Sequence, residues 1–187
     1  VAASWLAEIT WRLRREICWL WYQRAGIAGN AGANLPPAGD AAVDALELAR
    51  YVDHKQRFFE TDATARYLTQ RIAEVRAARA GDAGPWTSVV TRLALDDAAQ
   101  SVLALALVAR ADAAAGPVFG ACHNDVNKTQ PTLALAQRLH ADPTALLAFD
   151  AMHPLFRFGL ISLQPDAATL DWHQPFELTG LLAPAFL

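Results

Sequence analysis

Apolar residues recur at helical spacing along most of the chain, and a strand-like alternation enters only near its end. Trp5, Ile9, Leu13, Ile17 and Leu20 form one stripe of a helix predicted over 3–24. Trp11, Cys18 and Tyr22 form a second stripe, with Trp19 and Trp21 beside it. Glu8, Arg12, Arg15 and Glu16 make up the polar remainder. Aromatics on two faces predict a helix wedged between partners, its arginine stems covering apolar surface. The stretch 25–39 is rich in Gly, Ala, Asn and Pro and closes on Pro36-Pro37, which reads as a flexible connection. Asp40 then caps a long helical segment that reaches Arg79. Its apolar side runs through Val43, Leu46, Val52 and Phe59, then Leu68, Ile72 and Val75. Thr61-Asp62 offers a fresh N-cap, so one kinked helix or two stacked ones both fit. With the first helix this segment can form a long antiparallel hairpin.

A break at 80–84 separates that hairpin from the rest, and Pro85 opens a short helix through Thr91 in which Trp86 plugs a core gap. Asp96-Asp97 place negative charge at the start of the apolar run Ala98 to Ala115. Leu103, Leu105, Leu107 and Val108 make this helix apolar nearly all round, which predicts a buried central position. Gly116-Pro117 ends or kinks it, and the polar stretch His123 to Lys128 leads to a helix over 133–140. Asp142-Pro143 reads as N-cap and first position of a further helix over 143–152, closed by His153-Pro154. Leu160 to Gln164 and Thr169 to His173 flank the turn Pro165 to Ala168 as a two-stranded wing, and Phe176 to Leu182 forms a short terminal element. Helix, helix, short turn, helix, strand is the order of a winged-helix unit. The predicted fold is mainly α: a helical hairpin or bundle over 1–84, then a winged-helix-like domain with a small β-wing over 85–187.

Charge changes this picture. The net charge is −3, with 53% apolar and 19% charged residues, as expected of a folded domain without global attraction to nucleic acid or anionic membranes. Residues 1–92 carry 12 Lys/Arg against 10 Asp/Glu, whereas residues 93–187 carry 4 against 9, so the winged-helix half is the acidic half. A DNA-reading helix needs Arg, Lys, Asn or Gln, and the segment Pro143 to Met152 has none and carries Asp150. A stand-alone DNA-binding regulator is therefore the lesser alternative, and an apolar winged helix is expected to dock on protein. Cys18 and Cys122 are too few for a disulfide framework and suit a reduced, cytoplasmic setting. No apolar run is long enough for a membrane span. The start, Val1 to Trp5, has neither Met nor a basic n-region, and reads as a boundary within a longer protein rather than as a signal peptide.

Catalytic chemistry is hard to find. There is no G-x-x-x-x-G-K-[ST] and no G-x-G-x-x-G, and neither Lys55 nor Lys128 follows a glycine loop. Cys122-His123-Asn124-Asp125 holds the residue types of a cysteine-protease triad or a metal site, which leaves a small helical enzyme as a further alternative. Consecutive residues point in different directions, however, so they do not line up nucleophile, base and orienter. His140 and His153 read as cap or packing histidines. No catalytic, cofactor-binding or metal-ligating residue is assigned, and Trp172 with His173 on the wing is the candidate protein contact.

Four stretches resemble the N-terminal region of bacterial AAA+ ATPases, several of them linked to contractile injection systems. Leu93 to Ala109 is similar to that family's L-x-L-x-x-x-x-x-x-x-L-L-L-x-x-x-A pattern. Pro131-Thr132-Leu133-Ala134-Leu135-Ala136 resembles the Pro-Thr step opening its next helix, and Pro154 to Ile161 its passage into the wing. Trp5-Leu6 with Leu13-Arg14 resembles its first helix. The resemblance implies an ATPase core downstream, hexameric, with ATP and Mg²⁺ bound there and not in this chain. Its implied partners are a partner or substrate protein and the chain's own AAA+ core, with no nucleic acid and no membrane.

Overall fold

The structure, a computed structural model, describes residues 2–30, 48–79, 83–142, 144–163, 171–180 and 182–186, without the side chains of 26–30, 48, 49 and 183. The expected loop at 31–39, the cap at Asp40, the apolar positions Val43 and Leu46, the helix start at Pro143 and the wing turn at Pro165 to Ala168 lie outside the described residues. The first helix, α1, spans Ala3–Asn30 and so runs six residues beyond its predicted end at Arg24. The hydrophobic and polar periods fade after Tyr22, and 25–30, with Gly26 and Gly29 among them, carry no pattern from which a helix could be read.

The long segment is two helices, α2 (Leu48–Thr61) and α3 (Ala63–Ala78). Asp62 divides them: its Oδ1 accepts from the backbone N–H of Ala65 at 2.8 Å, satisfying a donor that the new helix would otherwise leave open. α3 runs antiparallel to α1, whereas α2 crosses α1 at Trp19, which Tyr51, His54 and Phe58 all meet. Trp19 of α1 meets Phe58, Arg15 donates to Thr69 Oγ1 at 3.0 Å, and Glu8 meets Arg79. Trp19, Phe58 and Ala65 are the buried members of this small second core, and Trp19 Nε1 donates to Tyr51 Oη at 2.9 Å.

After α4 (Pro85–Arg92) comes α5 (Asp97–Ala111), with Asp96 as its N-cap accepting from Ala99 N–H at 2.7 Å. Every residue from Val102 to Val108 is buried, as a helix apolar on all sides requires. The helix stops at Asp112, ahead of Gly116-Pro117, which instead lie in the first turn of α6 (Ala115–His123). Proline is acceptable there because first-turn N–H groups have no helical acceptor. Asn124 closes α6 in the left-handed region at φ 56°. The 125–126 backbone packs against Gly120, where an added Cβ would sit 3.2 Å from Asp125 O.

The remaining elements give the wing. α7 (Leu133–Leu139) starts at Thr132, whose Oγ1 accepts from Leu135 N–H at 3.1 Å. A 3-10 turn (Ala145–Ala148) and α8 (Pro154–Arg157) lead into β1 (Ile161–Leu163). β1 pairs antiparallel with β2 (Phe176–Leu178), with Ile161 opposite Leu178 and Leu163 opposite Phe176. The second wing strand therefore falls at 176–178 and not at Thr169 to His173, of which residues 171–173 form a turn closed by Gln174 N–H to Asp171 O at 3.1 Å. Thr132 forms an isolated bridge with Pro175, and Phe176 N–H donates to Pro131 O at 3.0 Å, so the segment before α7 pairs with the outer strand. That third pairing is what ties a wing to its helices. α9 (Ala183–Phe186) returns to the start of the chain, where Ala2 N–H donates to Phe186 O at 3.0 Å.

The helix expected over 143–152 is reduced to the single 3-10 turn. Asp142 Oδ1 is held by Thr144 N–H at 2.8 Å and Thr144 Oγ1 at 2.6 Å, and Asp150 Oδ1 by Met152 N–H at 2.9 Å. These side-chain-to-backbone turns bracket the 3-10 turn at either end. One core joins the first half of α1 to the later elements: Trp5 lies 5.2 Å from Trp86, and Trp86 lies 5.1 Å from Phe186, centroid to centroid. Replacing Leu105, which is fully buried at the centre of α5, by Ala should lower unfolding free energy by about 2–5 kcal/mol, read from urea midpoints at unchanged slope.

Candidate interaction site

α1 carries a charged stripe where its pattern shows only a polar side. Glu8, Arg12 and Glu16 stand one helical turn apart and are 2%, 2% and 1% exposed. Arg12 Nε donates to Glu8 Oε1 at 2.7 Å and its Nη1 to Leu139 O, on α7, at 2.8 Å. Arg79 of α3 pairs with the other Glu8 oxygen and also donates to Ser4 O. Glu16 receives Lys55 of α2 at 2.5 Å on one oxygen and Arg138 of α7 at 2.9 Å on the other. Lys55 also donates to Arg138 O, and Arg138 to Cys122 O, each at 2.8 Å. Four helices are thus gathered on two carboxylates, and α6 is tied in through Cys122 O. Burial pulls the Lys55 pKa down, and the adjacent Glu16 opposes that pull.

At the rim of this network, Asp97 accepts from Arg76 at 2.5 Å and contacts His140 Nε2 at 3.1 Å. The His140 hydrogen bond holds the Asp97 carboxyl down at about 2, and the same bond raises His140. The Asp97 side chain is 40% exposed, so solvent screens both effects.

A cleft of about 360 Å³ opens beside Glu16, between α1, α2 and residues 137–141. Arg12, Arg15, Lys55 and Arg138 line it against the single carboxylate of Glu16, with Phe59 as an apolar wall. Arg15 lies 4.2 Å from the Phe59 ring centroid and donates only to Thr69; among the described residues no carboxylate is within ion-pair distance of it. Burial, with Arg12 adding to it, draws Arg15 down to about 10, so it remains a cation at neutral pH. A second hollow, of about 420 Å³, lies between the α5–α6 corner and β2, but its polar groups Arg110, Asp112, Gln130 and Glu177 do not converge on one charge.

The position of a recognition helix presents apolar groups to solvent. Leu147, Met152 and Phe158 are 67%, 66% and 55% exposed. His153 anchors the segment, stacked on Phe149 at 4.0 Å and accepting from Leu155 N–H at 3.3 Å, and burial lowers its pKa. Gly159, at φ 62°, makes the left-handed turn into β1.

The candidate contacts Trp172 and His173 differ in setting. Trp172 is half-buried against the main core, with its carbonyl accepting from Ala134 N–H at 2.9 Å, whereas His173 is exposed. Cys122 to Asp125 do not converge. Cys122 is fully buried and its thiol is pushed up to about 12 by desolvation. His123 contacts Gln130 O at 3.3 Å, Asn124 accepts from Arg24, and Asp125 accepts from Asn127 N–H. Among the described residues no group of three His, Cys, Asp or Glu could hold a metal ion, and no helix is long and apolar enough to cross a membrane.

A buried helix, a capped second helix, a short turn and a two-stranded wing tied back by a bridge define a winged-helix domain. The chain matches the family described as "Winged helix domain, variant" over residues 23–175, and belongs to it. No curated protein and no solved structure matches the chain. The sequence pattern missed the buried stripe, although Glu8, Arg12 and Glu16 at intervals of four were its visible signal.

Replacing Glu16 by Gln should destabilise the fold by about 3–5 kcal/mol in urea unfolding, because Lys55 and Arg138 would be left uncompensated. The His140–Asp97 contact has its own pH signature. His140 is raised, so its contribution is full below about pH 6.5 and lost as pH climbs through the raised value. Asp97 is lowered, so its contribution holds above 3.8 and is lost as pH falls through about 2. The stability gap between the native chain and His140→Gln should therefore be larger at about pH 5.5 than at about pH 8.5, measured by urea midpoints in both buffers.

Proposed function

We propose that this chain is the non-catalytic N-terminal module of a bacterial, cytoplasmic AAA+ ATPase of the kind associated with contractile injection systems. Its task is to engage a partner or substrate protein for an ATP-driven, hexameric remodelling core, which alone carries ATP and Mg²⁺. The observation that carries the protein-engaging part is the recognition position: Leu147 and Met152 are exposed where a nucleic-acid reader needs cations and amides, and Phe158 is exposed just past α8. Apolar groups of this size, clustered in sequence on a domain's surface, suit protein contact.

The ATPase origin rests on the matched segments, and their physical roles support it. Leu93 to Ala109 forms the joint into α5 and most of that helix. Pro131-Thr132 is the cap and wing bridge of α7, and Pro154 to Ile161 spans α8, the left-handed Gly159 and β1. Each matched proline, threonine or glycine thus marks an element boundary. A buried, protonated Cys122 with no converging base also speaks against the enzyme alternative.

Titration of the chain with MgATP by calorimetry should give no saturable heat; a clear micromolar site would refute the module reading. Duplex DNA at low salt should give no salt-resistant gel shift, and a defined, salt-resistant complex would favour the regulator instead.

A further inference from the structure

The chain is acidic overall and carries a net charge of −3, yet the cleft beside Glu16 is locally cationic. Four cations face one carboxylate in its lining, and even with Glu8 counted behind Arg12 two positive charges remain. Three of the cations have structural duties: Arg12 is held by Glu8, and Lys55 and Arg138 are held by Glu16. Among the described residues Arg15 has no partner of that kind. One of its N–H groups goes to Thr69 Oγ1 and its plane is supported by Phe59, so the guanidinium is held in place without being neutralised.

A cation fixed this way at the mouth of a part-apolar cleft invites an anion that also brings an apolar group. Arg–carboxylate pairing is strongest when the guanidinium is pre-positioned and partly shielded from water. Tyr51, Val52 and Leu139 extend the apolar wall next to Phe59. The volume, about 360 Å³, is at the small end of the range for ligand pockets, roughly 300–1,000 Å³. It accommodates a few side chains of an extended segment and excludes a nucleic-acid duplex.

We propose that this cleft between α1, α2 and the α7 terminus is a docking site for an acidic peptide segment of a partner or substrate protein, with Arg15 receiving a carboxylate and Phe59 flanking its apolar neighbour. The inference rests on the protein-engaging reading above and adds to it a place and a partner chemistry. It also gives the cleft a role apart from the exposed Leu147, Met152 and Phe158. The buried stripe supplies the scaffold: because Glu16 fixes Lys55 and Arg138, the cleft walls from α2 and α7 keep their spacing from α1.

The test uses the full 187-residue chain and a fluorescently labelled pentapeptide in which two glutamates flank a phenylalanine, with a twin bearing glutamines instead. Fluorescence anisotropy should show saturable binding of the glutamate peptide that weakens as salt rises, and at least about tenfold weaker binding of the twin. Arg15→Gln should weaken the glutamate peptide by at least about tenfold while melting near the parent temperature, and Arg15→Lys should restore part of the loss. Arg14→Gln, altering an exposed neighbour outside the cleft lining, should leave binding unchanged. Equal binding of the two peptides, or an unchanged affinity in Arg15→Gln, overturns the assignment and leaves the module reading standing. Displacement of the peptide by micromolar MgATP overturns both.

Discussion

Two buried carboxylates hold this molecule in register. Glu8 and Glu16 lie on one face of α1, and between them they collect charges or carbonyl-linked cations from α2, α3 and α7. Taking such groups out of water costs several kcal/mol per ion, so the arrangement persists only because each oxygen has a cation. The gain is in geometry more than in net stability. An apolar helix face tolerates sliding and rotation, whereas a carboxylate with two dedicated partners does not. The α2–α3 arm is thereby set against the winged-helix core at one angle, and the cleft beside Arg15 follows from that angle.

The wing and the turn before it show a different balance. A nucleic-acid reader extends a regular helix from this position and studs it with cations. Here Asp142 and Asp150 divert their neighbours' N–H groups into local turns, and a single 3-10 turn remains. Leu147 and Met152 are then carried outward on a short, tightly held segment, while Leu146 and Phe149 anchor it in the core. These local hydrogen bonds hold the exposed residues in a defined place. Shape-based contact with another protein needs that fixity more than it needs charge.

The His140–Asp97–Arg76 contact joins these two regions at the surface. It lies at the start of α5 and the end of α7, where a helix N-terminus and its cap already favour negative charge. Its exposure keeps it weak, which separates it from the buried stripe, although Arg76 Nε lies 4.0 Å from Glu8 Oε1. Proximity to the same helices therefore does not confer the same energetic weight. Solvent access decides.

By itself, the sequence determined the mainly helical class, the buried α5 with its acidic start at Asp96-Asp97, the cap at Asp62, and the winged-helix order of the second half. These are legible because periodicity and capping are local properties, set by residues within one or two turns of each other. Only the tertiary structure decided that Glu8, Arg12 and Glu16 are interior, that the second wing strand lies at 176–178, and that 143–152 is not a helix. A charged side at intervals of four looks the same whether it faces water or the cations of three other helices. Strand pairing likewise depends on Pro131 and Thr132, more than forty residues away in the chain from Pro175 and Phe176. Arg15 is the plainest case. Nothing near it in sequence distinguishes it from Arg12 or Arg14, and only the fold leaves it supported, half-buried and, among the described residues, without a carboxylate, since ion pairing across a core is settled by which helices meet.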